Sequence, residues 1–572
     1  MTTEPTSSEP LPPNSPRSTW LHALRRVRAS QLVWAVCVLV LLLVAADQTQ
    51  RALSFRVDDA YITFSFSKNL GTGHGPVFSH GLRVEGYSNF LWMVVIAIRY
   101  LFRADGDPLD FARIVAFGCL TYAIITAYRM ARRAANPAAG LVAAGLLVAC
   151  SDLFRAAASG LETVPFATAI LVGWDVYLRE SPSARRWSLV AFLPAALMRI
   201  DGFVPLLIAF GVECLAALGA RRFNLLRLAR WALPAFAVWG AYFLWRYSYY
   251  GLLLPTTYYA KTVVAQGDPD RGVRQAFDVV RDYGALALFP LASLALAGRY
   301  RRDATCLALA VALQVGYAMT VGGDWMPFNR FFLPIVPLSA VLVAWGTEYV
   351  WGVSSKYAWS QRWSARLVTF AALAFSCLHL HVASIDSPQE QDKLGNATHN
   401  GNHVRNNLLA NKDLMAYVVR RPGDKLVTDY AGVFSVFTDA EVIDVWGLCN
   451  ADIALHGGTN GINPIYGKEC AQCYARLKPD YFHVGIPIVR SADSFHNLGE
   501  VLDNVFQGYA IDHVIGIRRH FGVGRVIQES TGRTLWFLER RRPGLPLEPR
   551  RPAPDIRVDY PFEAGRAASN KP

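Results

Sequence analysis

Long apolar runs alternate with short polar segments from residue 32 to residue 383. Several runs approach the ~20 residues that a helix needs to cross a bilayer, and others are shorter. Clusters of arginine recur after every second run, and such an excess of positive charge marks cytoplasmic loops. We therefore predict about 11 transmembrane helices, with the N-terminus inside and the C-terminus outside. The predicted spans are Leu32–Ala46, 110–128, Ala138–Cys150, Thr163–Leu178, Trp187–Arg199, Phe203–Leu218, Trp231–Trp245, Ala285–Ala297, Ala304–Val321, Phe331–Val350 and Leu367–Ala383.

A further apolar run, Asn89–Phe102, is interpreted differently. It is short for a span and contains Arg99. If it crossed the membrane, the later cluster from Arg129 to Arg133 would lie outside, against the usual charge asymmetry. We therefore predict an interfacial helix on the outer surface. The first run, Leu32–Ala46, could instead belong to a cleaved signal peptide, but the many following spans favour an anchored helix.

The composition of the chain changes after about Ser384. Polar residues dominate, and four short strand-like runs follow: Lys425–Thr428, Glu441–Val445, Tyr481–Val484 and Thr534–Leu538. We predict a mainly α, polytopic membrane protein with a small C-terminal α/β extracytoplasmic domain. The predicted parts are a disordered cytoplasmic tail (1–29), a transmembrane domain (30–383), the extracytoplasmic domain (384–540) and a Pro/Arg-rich tail (541–572).

The net charge of +13 does not indicate a nucleic-acid-binding protein, because the arginines lie in short clusters between apolar runs. Hydrophobic residues make up 53% of the chain and charged residues 18%, as expected for a membrane protein with a polar part. Cys470 and Cys473 form a zinc half-site without a second pair, so we predict no metal site, although a divalent metal remains possible. A disulfide among Cys449, Cys470 and Cys473 fits an extracytoplasmic domain better.

Ionisable and aromatic residues collect at the predicted outer ends of the spans, in five separate loops. Such residues are costly near a bilayer, so their convergence on one face indicates a functional cavity open to the membrane and to the outer water. The five loops carry Asp58 with Asp59, Glu162, Arg199 with Asp201, Tyr258 with Lys261, and Asp324 with Arg330.

Most of these residues also have a structural interpretation. The adjacent carboxylates Asp58 and Asp59 could cap a helix, or one could cap while the other acts as a base. Glu162 could equally be a capping residue or a catalytic one. Arg199 and Asp201 are best interpreted as an ion pair, although an arginine could also bind a phosphate.

Similar alternatives apply to the remaining loops. Arg83 and Glu85 could form a structural pair or contribute to function. Lys261 could anchor its loop at the membrane surface or contact a phosphate. Asp324 and Arg330 could brace their loop or hold a substrate.

This set of residues fits the transfer of a sugar from a lipid-phosphate carrier to an acceptor hydroxyl. A carboxylate would act as general base towards the weakly nucleophilic hydroxyl, and cations would stabilise the phosphate leaving group. We therefore assign catalysis to Asp58 or Asp59. The predicted donor-binding residues are Lys261, Arg330, Arg199, Asp201 and Tyr258, and the predicted acceptor-binding or supporting residues are Glu85, Arg83, Glu162, Asp324 and Asp444.

The segments Asp58-Asp59-Ala-Tyr-Ile-Thr-Phe, Gly73-His-Gly-Pro-Val-Phe and Arg83-Val-Glu85-Gly-Tyr resemble the GT-C superfamily of polyprenyl-phosphate-dependent glycosyltransferases. The similarity is greatest to the AftB-like branch of terminal arabinofuranosyltransferases. It continues through Gly160-Leu-Glu162, Arg199-Ile-Asp201, Gly322-Gly-Asp324 and Ile443-Asp444.

The resemblance implies a GT-C fold in a bacterial inner membrane, with a catalytic aspartate in the first outer loop. It further implies a decaprenyl- or undecaprenyl-phosphate sugar donor, with arabinofuranose as the sugar. The expected partners are this lipid-linked sugar, membrane lipid and a cell-envelope glycan or glycoprotein acceptor. Two other functions stay open from the residues: a lipid or sugar transporter (flippase), and a non-catalytic glycan-binding membrane protein.

Overall fold

The computed structural model describes residues 29–53, 55–102, 106–179, 187–219, 225–260, 270–283, 285–298, 301–323, 329–386, 422–428, 430–456, 473, 476–484, 521–528 and 534–540. Residues 1–28 of the predicted tail 1–29, the whole predicted tail 541–572 and all of 387–421 lie outside these residues.

Helices dominate the part of the chain before residue 387. The helices are α1 (Ala29–Ala52), α2 (Asp58–Gly71), α3 (Phe90–Phe102), α4 (Pro108–Ala134), α5 (Pro137–Ala149), α6 (Ser151–Ala158), α7 (Thr163–Tyr177), α8 (Leu193–Met198), α9 (Phe203–Gly219), α10 (Leu225–Tyr250), α11 (Arg271–Asp282), α12 (Ala285–Leu294), α13 (Arg301–Thr320), α14 (Val336–Ser354) and α15 (Trp359–Asp386). Short 3₁₀ helices lie at Ser79–Gly81, Val190–Phe192, Ile200–Gly202, Ala295–Ala297 and Leu333–Ile335.

Among the described residues, four helical segments are long and apolar enough to cross a membrane: Trp34–Ala52, Pro108–Ala134, Arg301–Thr320 and Leu333–Ser354. Helices α5 and α6 would make a fifth span if counted together, although the chain bends by 57° between them. The chain is therefore a multi-pass membrane protein. The larger number of spans that the charge pattern indicates remains a prediction.

The structure corrects one predicted span. The described residues of Trp187–Arg199 do not form one continuous helix, since a 3₁₀ turn at Val190–Phe192 leads into α8, which has only six residues. Pro194, near the start of α8, lacks the N–H needed to continue the preceding hydrogen-bond ladder. The chain then turns at Arg199, which places this residue at the end of α8.

The segment predicted as the first outer loop folds as a helical hairpin around a polar turn. Helix α2 begins at Asp58 itself, and α3 covers Phe90–Phe102, as expected for the short apolar run predicted there. Most side chains of α2 are buried, from Asp58 to Ser67 with Asp59 as a half-buried exception. Because helix α2 is buried, the surrounding protein holds its side chains in fixed positions.

The C-terminal region contains a mixed five-stranded sheet of order β2-β1-β3-β5-β4. The strands are β1 (Lys425–Thr428), β2 (Glu441–Asp444), β3 (Tyr481–Val484), β4 (Phe521–Gln528) and β5 (Thr534–Arg540). Strands β1, β2 and β3 pair in parallel, whereas β3, β5 and β4 pair antiparallel. Helices α16 (Ala431–Phe437) and α17 (Ala451–His456) lie between the first three strands in sequence. The predicted α/β character is present, with β4 as a strand that the sequence pattern did not indicate.

Candidate functional site

The two neighbouring aspartates of α2 have different surroundings. The Asp58 carboxylate is buried and accepts backbone hydrogen bonds from Val433 at 3.0 Å and Gly432 at 3.3 Å. These two amides belong to the first turn of α16, where N–H groups lack partners within their own helix. Asp58 therefore caps a helix, as the sequence allowed, but the helix is one of the C-terminal region and not its own.

The same helix α2 also holds the other end of α16. Lys68, near the end of α2, donates from Nζ to the carbonyl of Val436 at 3.0 Å. A carboxylate at the start of a helix and an ammonium at its end both complement the helix dipole. The backbones between these contacts lie very close, because a Cβ atom on Gly432 would come within 2.2 Å of the Asp58 carbonyl oxygen. We call this arrangement the Asp58–Lys68 clamp.

Asp59 faces a different direction and lines a partly open cavity, whose empty space is about 530 Å³ with the adjoining open solvent included. Ile62 and Thr63 line the same wall, since positions i, i+3 and i+4 share one face of a helix. We call this space the Asp59 cavity. Its further lining residues in the described part of the chain are Gly86, Tyr87, Ser88, Asn89, Leu161, Glu162, Arg199, Thr257, Arg330, Phe331 and Leu448.

A buried ion cluster forms the back of the cavity. The Arg199 guanidinium donates to Asp201 at 2.8 Å and 3.2 Å and to Glu162 at 3.2 Å. All three side chains are less than a tenth exposed. A buried charge is costly unless it is paired and hydrogen-bonded, so the two carboxylates keep Arg199 ionised at this place. The ion pair predicted for Arg199 and Asp201 is present, and Glu162 joins it instead of capping α7.

Amide and hydroxyl groups extend this cluster towards α2. Asn89 donates to Glu162 at 2.7 Å and accepts from the Thr63 hydroxyl at 3.1 Å. On the other side, Gln314 of α13 donates to Asp201 at 3.2 Å. The chain of contacts thus joins the first outer loop, the start of α7 and helix α13. Such a network fixes the positions of the groups that line the cavity.

Two aromatic rings enclose the Arg199 guanidinium. Its central carbon lies 5.1 Å from the ring centre of Phe166 and 5.0 Å from that of Phe331. Arg330, the neighbour of Phe331, is also buried and lines the cavity. The cavity therefore presents two guanidinium groups and the carboxylates of Asp59 and Glu162 in one partly enclosed space.

The C-terminal region completes the cavity wall through the loop after β2. The fully buried Asp444 accepts from the backbone N–H of Cys449 at 2.9 Å and of Trp446 at 3.0 Å. This fold of the loop places Leu448 in the cavity wall. Gly86 of the first outer loop packs directly on it, since a Cβ atom there would lie 2.4 Å from the Cys449 sulfur.

Burial raises the pKa of Asp444 to about 6, opposed by its backbone hydrogen bonds and assisted by the nearby charge of Asp59. In the structure, Asp444 acts on the cavity through the backbone of its own loop. The residue shapes the loop that carries Leu448, and it does not itself line the cavity.

Arg83 and Glu85 do not pair with each other. The Arg246 Nε–H is shared between the two oxygens of the buried Glu85 carboxylate, at 3.0 Å and 3.1 Å, and Nη2 of the same guanidinium donates a further hydrogen bond to Glu85. Arg83 lies over the ring of Tyr249, with its guanidinium carbon 5.2 Å from the ring centre. Both residues therefore fasten the first outer loop to the end of α10. Of the two alternatives open for Arg83 and Glu85, a structural pair between them is not formed, because Glu85 pairs with Arg246 instead.

The other predicted residues are placed as follows. Tyr258 is 48% exposed and packs edge-on against Tyr259, whereas Thr257 beside it lines the cavity. Lys261 and Asp324 lie outside the described residues.

The three cysteines of the C-terminal region are only partly described. Cys473 is disulfide-bonded, Cys449 has a free thiol, and Cys470 lies outside the described residues. Within the described part of the chain, no group of three or more His, Cys, Asp or Glu side chains is arranged to hold a metal ion.

Sequence reasoning missed several residues of this site. Arg246 could have been suspected, since an arginine just beyond the end of a predicted span needs a buried partner. Asn89 and Tyr87 belong to the loop that carries the family resemblance, but no pattern separates their amide and phenol from ordinary loop residues. Gln314 lies within a predicted span, where a lone polar residue is a sign of an internal contact.

Comparison with known proteins agrees with the resemblance seen in the sequence. No protein-family model matches the chain. A terminal β-(1→2)-arabinofuranosyltransferase of Mycobacterium tuberculosis is 28% identical over 230 residues, which is 37% of this chain and 35% of that protein. The predicted resemblance to the arabinofuranosyltransferase branch is confirmed. The matched part spans only about a third of the relative's length.

Solved structures show a more distant similarity. ArnT from Cupriavidus metallidurans, in the apo state, is 12% identical with a TM-score of 0.49, and the match covers 89% of this chain and 98% of ArnT. The oligosaccharyltransferase of Archaeoglobus fulgidus is 12% identical with a TM-score of 0.43, over 89% of this chain and 75% of that protein. At this level of similarity, neither structure carries an inference about the reaction of this chain.

Proposed function

We propose that this protein is an integral-membrane glycosyltransferase that transfers a sugar from a polyprenyl-phosphate donor to a hydroxyl group of a cell-envelope acceptor. The observation that carries this proposal is the Asp59 cavity, in which a half-buried carboxylate faces a wall with two guanidinium groups. General-base transfer with a phosphate leaving group needs both kinds of charge within one site.

Asp59 is the general base in this proposal, and Asp58 is not. The Asp58 carboxylate already accepts two backbone N–H groups of α16 and is buried beneath that helix. A base must be within reach of the acceptor hydroxyl, and Asp59 lines the cavity where that hydroxyl would lie. Asp58 contributes by holding helix α2, and with it Asp59, against the C-terminal domain.

The reaction transfers one proton and one glycosyl group. Asp59 takes the proton of the acceptor hydroxyl as the oxygen forms a bond to the anomeric carbon of the donor. The bond from that carbon to the phosphate oxygen breaks, and polyprenyl phosphate leaves with its electron pair. Arg330 and Arg199 stabilise the charge that develops on the phosphate, as guanidinium groups do through paired hydrogen bonds. Asp201 contributes by holding Arg199 in place. Tyr258, and Lys261 and Asp324 outside the described residues, stay proposed donor or acceptor contacts.

We propose arabinofuranose as the sugar and the outer face of the inner membrane as the place of reaction. The curated relative with this activity supports the sugar. The arginine pattern of the loops supports the sidedness. The acceptor is a hydroxyl group of an envelope glycan, lipid or glycoprotein that approaches the cavity beside the C-terminal domain, which contributes Leu448 to the wall.

The test is reconstitution of the purified protein in proteoliposomes with synthetic decaprenyl-phosphoryl arabinofuranose and an arabinan oligosaccharide acceptor. We expect consumption of the donor and extension of the acceptor by one residue, measured by mass spectrometry. The Asp59→Asn variant should lose about 100- to 10,000-fold in turnover, the usual contribution of a general base. Its thermal stability should stay close to that of the wild type, because Asp59 is only half buried.

Asp58→Asn serves as the matched control, since it makes the same chemical change one residue away. It should lower thermal stability, because an amide nitrogen would face one of the two N–H donors of α16. Full turnover in Asp59→Asn would overturn the assignment of the base. A donor that crosses the bilayer without being consumed would indicate a transporter instead.

A further inference from the structure

Helix α11 (Arg271–Asp282) has one face packed against the protein. Gly272, Gln275 and Val279 are buried on this face. A Cβ atom on Gly272 would come within 2.2 Å of the Met319 carbonyl oxygen, so α11 lies directly on the end of α13. Val279 packs with Ala318 and Phe332 in a small apolar core.

A second face of the same helix is apolar but exposed. Val273, Phe277 and Val280 are 36%, 71% and 38% exposed. Their spacing of i, i+4 and i+7 forms one continuous stripe along the helix. An exposed phenylalanine between two exposed valines is unfavourable in water, and aligned apolar residues of this kind mark an interaction surface.

Positive charge borders the apolar stripe. Arg274 and Arg281 are one turn of helix removed from Phe277, on the side away from the buried face, and both are exposed. Arg281 also pairs with Asp278 at 3.2 Å, with more than half of the arginine side chain exposed. An apolar stripe flanked by arginines is the pattern of a helix that lies in a membrane interface.

The surroundings of α11 favour lipid over another protein as its partner. Helix α11 also packs against α15, whose exposed residues Leu367, Phe370 and Phe375 are apolar, as expected for a predicted span facing acyl chains. The apolar stripe of α11 therefore lies on a helix that packs beside the exposed apolar side chains of α15, which we expect to contact acyl chains. The charge pattern places α11 on the predicted outer side, between the spans at Trp231–Trp245 and Ala285–Ala297.

We propose that α11 is a lipid-binding interfacial helix of the outer leaflet. Val273, Phe277 and Val280 lie among the upper acyl chains, and Arg274 and Arg281 contact the phosphates of anionic lipids. This proposal rests on the predicted sidedness that also underlies the proposed function, but it concerns binding of bilayer lipid and not transfer of sugar.

Helix α11 also packs against residues next to the Asp59 cavity. Gln275 packs so tightly on the turn after α13 that a Cβ atom on Gly323 would lie 2.1 Å from its Oε1. On the other side of residues 324–328, Arg330 and Phe331 line the cavity, and Phe332 packs on Val279 of α11. The buried face of α11 thus packs against Gly323 and against Phe332, which lies two residues after Arg330 of the cavity wall.

The experiment replaces Phe277 with the photoreactive p-benzoylphenylalanine in the full-length protein. The protein is placed in nanodiscs of equal amounts of phosphatidylcholine and phosphatidylglycerol, irradiated and analysed by mass spectrometry. We expect lipid adducts at position 277 with phosphatidylglycerol enriched over phosphatidylcholine. Removing both arginines (Arg274→Gln with Arg281→Gln) should reduce the enrichment by roughly fivefold per arginine, the change equivalent to about 1 kcal/mol for each charge near an anionic surface.

Leu455 provides the matched control, because it is an apolar residue of α17 in the C-terminal domain and is 48% exposed. The same photoreactive residue there should give adducts only at background level. If the replacement at Phe277 impairs folding, the replacement at Val280 tests the same stripe. Lipid adducts at positions 277 and 280 no more frequent than at 455 would overturn the proposal. The readout does not depend on glycosyl transfer, so it can fail or succeed separately from the proposed function.

Discussion

At the scale of single residues, Asp58 and Asp59 show how two adjacent carboxylates acquire different roles. The sequence marks both, because a pair of acids beside an apolar run is costly without a function. It does not say which one faces the cavity. Successive helical residues point about 100° apart, and the face that the C-terminal domain covers depends on residues more than 370 positions later, such as Val433.

The cluster around Arg199 shows the opposite case, in which local sequence was informative. Arg199 and Asp201 are close in the chain, so their ion pair could be predicted. The contact from Arg199 to Glu162 could not, because it joins loops 37 residues apart. Contacts between residues this far apart in the sequence depend on how the helices pack, and patterns in a single sequence do not determine that packing.

Asp444 gives a prediction about pH. Burial raises its pKa from 3.8 to about 6 in the folded protein, so the folded state binds this proton more tightly than the unfolded state. The stabilisation is fully present below pH 3.8 and is lost as the pH rises through about 6. Relative to Asp444→Asn, which does not titrate, the wild type should lose about 3 kcal/mol of unfolding free energy across this window.

The measurement is chemical unfolding of both proteins in nanodiscs at pH values on either side of the window. The absolute stabilities of the two proteins are also expected to differ, because an asparagine has one acceptor oxygen where the carboxylate offers two to Trp446 and Cys449. The pH dependence of the difference is the decisive quantity. Parallel pH profiles for the two proteins would show that Asp444 does not titrate in this range.

At the scale of elements, helix α16 depends on α2 at both of its ends. It has seven residues, which is too short to be stable alone in water. The contacts of Asp58 and Lys68 supply partners for its first amides and one of its last carbonyls. The sequence allowed a helix beginning near Asp58 and predicted the strands on either side of α16, but not that these elements would form one unit.

Gly432 is the position at which this unit can be tested. Its replacement by alanine places a methyl group about 2.2 Å from the Asp58 carbonyl oxygen, so the two backbones must separate. We expect Gly432→Ala to lower the stability by about 1–3 kcal/mol, as overpacking of a tight contact does. Thermal unfolding in nanodiscs measures the loss, and limited proteolysis should cleave the C-terminal domain faster.

The matched control is Gly352→Ala in α14, where an added Cβ atom would meet no other atom within 4 Å. This change should be neutral or slightly stabilising, because alanine favours a helix over glycine. Equal stability losses for both variants would mean that the close contact between α2 and α16 does not contribute to stability.

At the scale of the whole molecule, hydropathy predicted where most apolar helices lie but not their exact extent. Helices α4, α10 and α15 extend beyond the predicted runs, because polar residues at their ends continue the same backbone hydrogen bonds. The Trp187–Arg199 run was predicted as one span because its composition is apolar, yet proline and a tight turn divide its described residues. An apolar composition indicates that a segment is buried or contacts lipid. Whether the segment forms one continuous helix depends on single residues such as proline.

The sidedness of the chain is a prediction for the whole molecule. Green fluorescent protein fused before Met1 should fluoresce, and alkaline phosphatase fused at the same place should be inactive. After Pro572 the outcome should reverse, because the two reporters require opposite compartments. Both termini reporting the same compartment would require an even number of spans. That result would also contradict the prediction that the Asp59 cavity lies on the outer face.

The Asp58–Lys68 clamp has a consequence for biosynthesis. Asp58 and Val433 are 375 residues apart, so the ribosome makes the first partner long before the second. At roughly 5–20 residues per second, the interval is on the order of tens of seconds. During that time the Asp58 carboxylate must be hydrated, and Leu448 is not yet available to complete the wall of the Asp59 cavity. A nascent chain is thus inserted with this cavity unfinished, and the wall is complete only when the C-terminal region has been made and folded.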